Sequence, residues 1–79
     1  MTVRSFLQQL LIDEFGVAAE TIQPESTLED LGLDSFAMIE IIGELEREFG
    51  IAFTDERARF RTLAEAAEQT EQAIRDQST

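Results

Sequence analysis

Leu31-Gly32-Leu33-Asp34-Ser35-Phe36 marks the passage from a loop into a helix, and the run it opens decides the architecture. From Ser35 to Phe49 the chain reads SFAMIEIIGELEREF, then Gly50. At about 100° per residue, Met38, Ile41, Ile42, Leu45 and Phe49 cluster on one side and are expected to face a core. Phe36, Ile39, Glu40, Gly43 and Arg47 cluster on the opposite side. Asp34 is the natural N-cap, because its carboxylate can accept a free backbone N–H. Gly50 is the expected terminator. Phe36 and Ile39 have no obvious reason to be apolar in an isolated domain, so this face reads as a binding surface. Gly43 costs the helix about 1 kcal/mol relative to alanine. Its missing side chain either permits close approach or is tolerated drift.

Upstream, Val3, Phe6, Leu7, Leu10, Leu11 and Phe15 recur at helical spacing, which predicts a helix over 3–15 closed by Gly16. Residues 16–34 read as a long connection, too long to be empty filler. Ile22, Leu28, Leu31 and Leu33 are its expected pins, and Thr27 with Asp30 could cap a single turn. Downstream, Asp55 to Phe60 predicts a short helix, with Arg57, Arg59 and Arg61 as the one basic spot. These arginines either pair with nearby carboxylates or contact a phosphate or a partner. Thr62 and Glu65 form a Thr-x-x-Glu capping box that opens a last helix. Its inward stripe is Leu63, Ala66, Ala67, Thr70 and Ile74. The tail from Asp76 to Thr79 is expected to fray. No linker divides the chain, so residues 1–79 are expected to form one domain with a core over about 3–75.

The 79 residues carry 17 acidic and 6 basic side chains, a net charge of −11. That exceeds the magnitude of about 2–8 suited to a small soluble domain. Nucleic acid would be repelled, while basic protein partners are favoured. No stretch approaches the roughly 20 apolar residues of a membrane span. The start, Met1-Thr2-Val3-Arg4, runs into an amphipathic pattern without a long apolar secretory core. A cytoplasmic monomer is the expected state.

The chemistry of Ser35 is constrained by what the sequence lacks. There is no histidine, cysteine or lysine. A serine hydroxyl is a poor nucleophile until a base activates it. No metal site is expected either, and the acidic residues lack the spacing of an EF-hand. Ser35 therefore reads as an attachment point for a group supplied by another enzyme. A phosphorylated product would suit the positive end of the helix dipole.

The segment Leu31-Gly32-Leu33-Asp34-Ser35-Phe36 resembles the attachment motif of acyl carrier proteins of the stand-alone bacterial type. The similarity continues through Ile41, Ile42, Leu45, Glu46, Phe49, Gly50 and Ile51. It also takes in Pro24, Thr27 and Leu28 and the helix opened by Thr62, so nearly the whole chain is covered. The resemblance implies an all-α, four-helix bundle with a long first loop and a short third helix. It implies a 4′-phosphopantetheine arm on Ser35, installed from coenzyme A by a phosphopantetheinyl transferase. The arm's thiol would carry acyl groups as thioesters, so the protein would be a non-catalytic substrate of its partners. Asp34, Phe36, Ile39, Glu40, Gly43, Glu46 and Arg47 are the implied docking residues for acyltransferases, ketosynthases and other enzymes with basic patches. Met38, Ile42, Phe53, Phe60 and Leu63 are the candidates for lining an acyl cleft.

Several positions depart from the common fatty-acid pattern. Ala37 stands where an acidic or polar residue is usual, Gly43 replaces a larger apolar residue, and Arg47 replaces a frequent glutamate. The loop before Thr62 is one residue shorter and its arginines reverse the expected charge. These changes favour a polyketide or other natural-product pathway over housekeeping fatty acid synthesis. A peptidyl or aminoacyl carrier shares the fold and arm but often has another glycine in place of Leu33. An unmodified acidic helical adaptor is the alternative of a different class.

Overall fold

Short polar side chains and glycines set the ends of the helices. In the computed structural model, which describes residues 2–77, the α-helices among the described residues are α1 (Val3–Phe15), α2 (Ser35–Phe49) and α3 (Leu63–Gln77). Asp34 caps α2 by accepting the Ala37 N–H on Oδ1 at 2.9 Å. Thr2 does the same for α1, accepting from Ser5 N–H at 3.0 Å. The capping box of α3 is complete. Thr62 Oγ1 accepts from Glu65 N–H at 3.1 Å, and Glu65 Oε1 accepts from Thr62 N–H at 3.0 Å. Gly50 adopts φ 63°, and the Gly50 and Ile51 N–H groups both return to the Glu46 carbonyl. Ile51 then turns into the interior, the hydrophobic contact that accompanies such an end.

The core is one cluster fed by every helix. Val3, Leu7, Leu10 and Leu11 come from α1, Ile41 and Leu45 from α2, and Leu63, Ala66 and Ala67 from α3. Small residues on α3 allow α1 to lie close against it. Phe6 of α1 meets Phe49 of α2 edge-on, with ring centroids 5.5 Å apart. Thr70 is fully buried, and its hydroxyl donates to the Ala66 carbonyl at 2.8 Å. The burial that would otherwise penalise that hydroxyl is thereby offset.

The inward face of α2 is centred differently from the expectation. Ala37, Ile41 and Leu45 are its buried stripe, while Met38, Ile42 and Phe49 are half-buried along its edge. Ala37 is apolar because it packs inward, one turn before Ile41.

The long connection is held by backbone pairing that the sequence does not display. Ala19–Thr21 forms a short 3₁₀ turn. Thr27 and Asp30 cap each other's N–H groups at 3.0 and 3.2 Å, as their spacing predicts. Leu28 is buried, with Ile22, Leu31 and Leu33 partly buried against the core. Thr27 pairs with Thr62 in an isolated antiparallel bridge. Leu28 N–H donates to the Arg61 carbonyl at 3.2 Å, and Leu63 N–H to the Ser26 carbonyl at 3.1 Å.

The expected short third helix over 55–60 is corrected to a turn over 55–58. Its Ala58 N–H donates to the Thr54 carbonyl at 3.0 Å, and Arg59 N–H reaches only Glu56 at 3.3 Å. A first helical turn is costly to nucleate and gains only by propagation. Here Phe60 must enter the core and Arg61–Thr62 must extend to meet the connection. The fourth helix of the expected bundle is thus absent among the described residues. Asp76 and Gln77, expected to fray, are helical: Asp76 accepts from Arg57 and Gln72, and the Gln77 amide donates to the Gly50 carbonyl. Ser78 and Thr79, the rest of that tail, lie outside the described residues, as does Met1.

Candidate functional site

Ser35 is the first residue of α2, held there by the Asp34 cap. It is exposed, and its hydroxyl makes no hydrogen bond among the described residues. It stands at the lip of an open groove of ≈ 510 Å³. One wall is the connection, through Thr27, Leu28, Glu29 and Leu33. The other is the start of α2, through Asp34, Ser35 and Met38, and Phe60 and Arg61 close the end. The connection reaches this place because of its bridge to Thr62, so the backbone pairing builds the groove.

The residues expected to line an acyl cleft do not all meet. Met38 and Phe60 line the groove; Ile42, Phe53 and Leu63 do not. Phe53 lies beside the groove wall, its ring edge-on to Phe60 with centroids 6.2 Å apart. Leu63 instead lines a smaller cavity of ≈ 120 Å³ with Leu7, Ile22 and Pro24. Leu28 and Leu33 are legible as pins, but Thr27, Glu29 and Arg61 carry no signal as groove residues. Their convergence depends on pairing between segments far apart in sequence.

Glu65 secures the groove's end. Its carboxyl is held below the ordinary 4.5, first by the Arg61 backbone N–H and then by the Thr62 N–H. Partial desolvation opposes this, while the Thr62 hydroxyl and the Arg61 charge assist. The Arg61 N–H donates to Glu65 Oε1 at 2.9 Å.

The outer face of α2 is as unusual as its sequence. Phe36 and Ile39 are each 69% exposed. Glu40 and Arg47 are exposed beside them, and Arg47 pairs with Glu44 at 2.9 Å. Such a surface pair contributes little, about 0–1 kcal/mol. A Cβ at Gly43 would meet nothing within 4 Å, so the α2 backbone there is not in close contact with the rest of the molecule. Gly43 instead borders a groove between α2, through Ile39, Glu40, Glu44 and Arg47, and α1, through Leu10, Glu14 and Phe15. Glu46 differs from its neighbours in having a structural task. Its Oε2 accepts the Phe53 N–H at 2.8 Å and ties residues 51–53 to α2.

The sequence offers Ser35 no histidine or lysine to activate its hydroxyl. Its exposed, unbonded hydroxyl beside an open groove fits a covalently attached chain. No helix among the described residues is long and apolar enough to cross a membrane.

A family model for the phosphopantetheine attachment site matches residues 5–69. An acyl carrier protein of Nitratidesulfovibrio vulgaris strain Miyazaki F is 40% identical over 60 residues, covering 75% of this chain and 79% of that protein. The counterpart from strain DP4 is 38% identical with the same coverage. The crystal structure of an acyl carrier protein from Thermotoga maritima superposes with a TM-score of 0.81 at 22% identity, covering 91% of this chain and 86% of that one. The hexanoyl carrier protein of the actinorhodin polyketide synthase from Streptomyces coelicolor gives 0.78 at 23% identity, covering 96% and 94%. At these identities the two structures speak for the fold. Matched over most of its length, this chain belongs to the acyl carrier protein family, whose non-catalytic members bear covalently attached 4′-phosphopantetheine.

Proposed function

We propose that Ser35 bears the arm and that the protein carries acyl intermediates in polyketide or related natural-product biosynthesis. The observation that supports Ser35 most directly is its exposed, unbonded hydroxyl at the start of α2, on the lip of an open groove. When attached, 4′-phosphopantetheine supplies a terminal thiol that holds the acyl group as a thioester. The chain's own residues present the serine, flank the arm and guide partners. The family needs a phosphopantetheinyl transferase and biosynthetic enzymes. Their basic patches would meet Asp34, Glu40 and the free oxygen of Glu46, and their apolar pockets would meet Phe36 and Ile39. Gly43 leaves room for close approach, and Arg47 marks the edge of this surface. Of the cleft candidates, Met38 and Phe60 line the groove beside Ser35, which supports a role for them in contacting cargo there. The reading takes residues 1–79 as one domain acting as a cytoplasmic monomer. The turn over 55–58 occupies the place of the short third helix.

The test is intact-protein mass after incubation with coenzyme A and a broad-specificity transferase. The expected result is one phosphopantetheine increment, absent in Ser35→Ala. No increment on folded wild-type protein would favour the alternative, an unmodified acidic helical adaptor. Loading the modified protein with acyl or aminoacyl groups separates the acyl carrier from a peptidyl carrier. Phe36→Ala and Ile39→Ala should slow the transferase by about tenfold or more, the size of effect seen for buried apolar anchors. Unchanged transferase rates in both variants would remove these residues from the docking surface.

A further inference from the structure

Among the described residues, Arg61 is the only cation lining the groove beside Ser35. Its companions there include two carboxylates, Asp34 and Glu29. Among the described residues its guanidinium makes no ion pair or hydrogen bond, whereas Arg57 pairs with Asp76 and Arg47 with Glu44. The Glu65 carboxylate feels its charge but is bonded to backbone N–H groups instead. The base of the Arg61 side chain is fixed. Its N–H donates to Glu65 at 2.9 Å, and its carbonyl accepts from Leu28 N–H at 3.2 Å, next to the Thr27–Thr62 bridge. A free, strongly basic side chain is thus rooted in the groove of a chain whose net charge is −11.

An arm on Ser35 brings a phosphodiester within one bond of the serine oxygen. That anion would enter a groove already holding Asp34 and Glu29, where like charges repel it. A guanidinium offers a planar fork that matches phosphate oxygens better than an ammonium. We propose that Arg61 is a positioning residue that holds the phosphodiester of the arm, directing the chain along the groove. This rests on Ser35 being the attachment residue. Arg59, two positions away and exposed, does not line the groove and serves as the control.

The experiment compares ³¹P spectra of the modified wild-type protein with those of Arg61→Gln, Arg61→Lys and Arg59→Gln. Intact mass first establishes that each carries the arm, and thermal unfolding establishes that each is folded. In Arg61→Gln the phosphodiester resonance is expected to shift toward that of the same modified protein unfolded in urea, where the diester is free of contacts, and to narrow. Lysine should restore part of the wild-type shift, and Arg59→Gln should leave it in place. The wild-type resonance should itself move toward the unfolded-chain value as salt is raised, because an exposed ion pair is screened. A resonance indifferent to both Arg61→Gln and salt would overturn the role of Arg61 while leaving the carrier reading intact. Absence of the mass increment in the wild type would overturn both.

Discussion

Two demands meet on Asp34 if it serves the proposed docking: one carboxylate oxygen caps α2, and the same negative charge would be offered to partners. They can be separated. Asp34→Ala should lower stability by about 0.5–2 kcal/mol, because the Ala37 N–H loses its acceptor. Asp34→Asn keeps an acceptor and removes the charge, so urea unfolding should show most of the stability retained. Equal losses in the two variants would show that the charge at the helix start, and not the hydrogen bond, carries the effect. Glu65 makes a pH prediction of definite sign. Its pKa is lowered on folding, chiefly by the Arg61 N–H. The stabilisation is therefore complete above the unfolded value near 4.5 and is lost as pH falls through the folded one. Glu65→Gln should flatten that part of the stability-versus-pH curve below 4.5, as read from thermal midpoints across acid pH. A slope unchanged by the substitution would place the titration elsewhere.

The helices are legible in the sequence because their end signals are local. Asp34 before Ser35, Gly16 and Gly50 after apolar runs, and Thr62 three residues before Glu65 each specify a boundary from neighbouring residues alone. The segment 55–60 carries similar local cues, with Thr54 accepting the Arg57 N–H at 3.2 Å. Those cues mislead because burial of Phe60 and pairing at Thr62 fix the segment from outside. The groove is hidden for the same reason: Thr27 and Arg61 are brought together by a bridge, not by periodicity. Ala37 reads as a surface departure because the buried stripe of α2 runs through 37, 41 and 45, one residue before the apolar cluster's centre. The glycines within and just after α2 predict opposite outcomes. Gly43 is helical, and a Cβ there meets nothing within 4 Å. Gly43→Ala should stabilise by about 0.5–1 kcal/mol in denaturant unfolding. Gly50 sits at φ 63°, where an L side chain crowds its own carbonyl. Gly50→Ala should destabilise by about 1–2 kcal/mol.

At the scale of the whole molecule, a small core holds together a strongly charged surface. A chain of this size has a total stability of about 4–12 kcal/mol. Leu45 is fully buried between the helices. Leu45→Ala should remove about 2–5 kcal/mol, enough to threaten folding. Phe36→Ala and Ile39→Ala should stay within about 0.5 kcal/mol of the wild type, since both side chains are exposed. The net charge of −11 adds an opposition between folding and docking. Self-repulsion disfavours the compact chain, and salt screens it over a Debye length of about 10 Å at 0.1 M. Attraction to a basic partner depends on the same unscreened field. Raising salt should therefore raise the thermal midpoint while lowering the association rate with a transferase. Salt effects of the same sign on both would mean that local pairs, not the net field, govern one of them. Arg47→Glu sharpens the distinction by making the outer face of α2 more negative by two charges and removing only a surface pair with Glu44. It should steepen the salt dependence of association and lower the midpoint at low salt, with the midpoint recovering as salt is added.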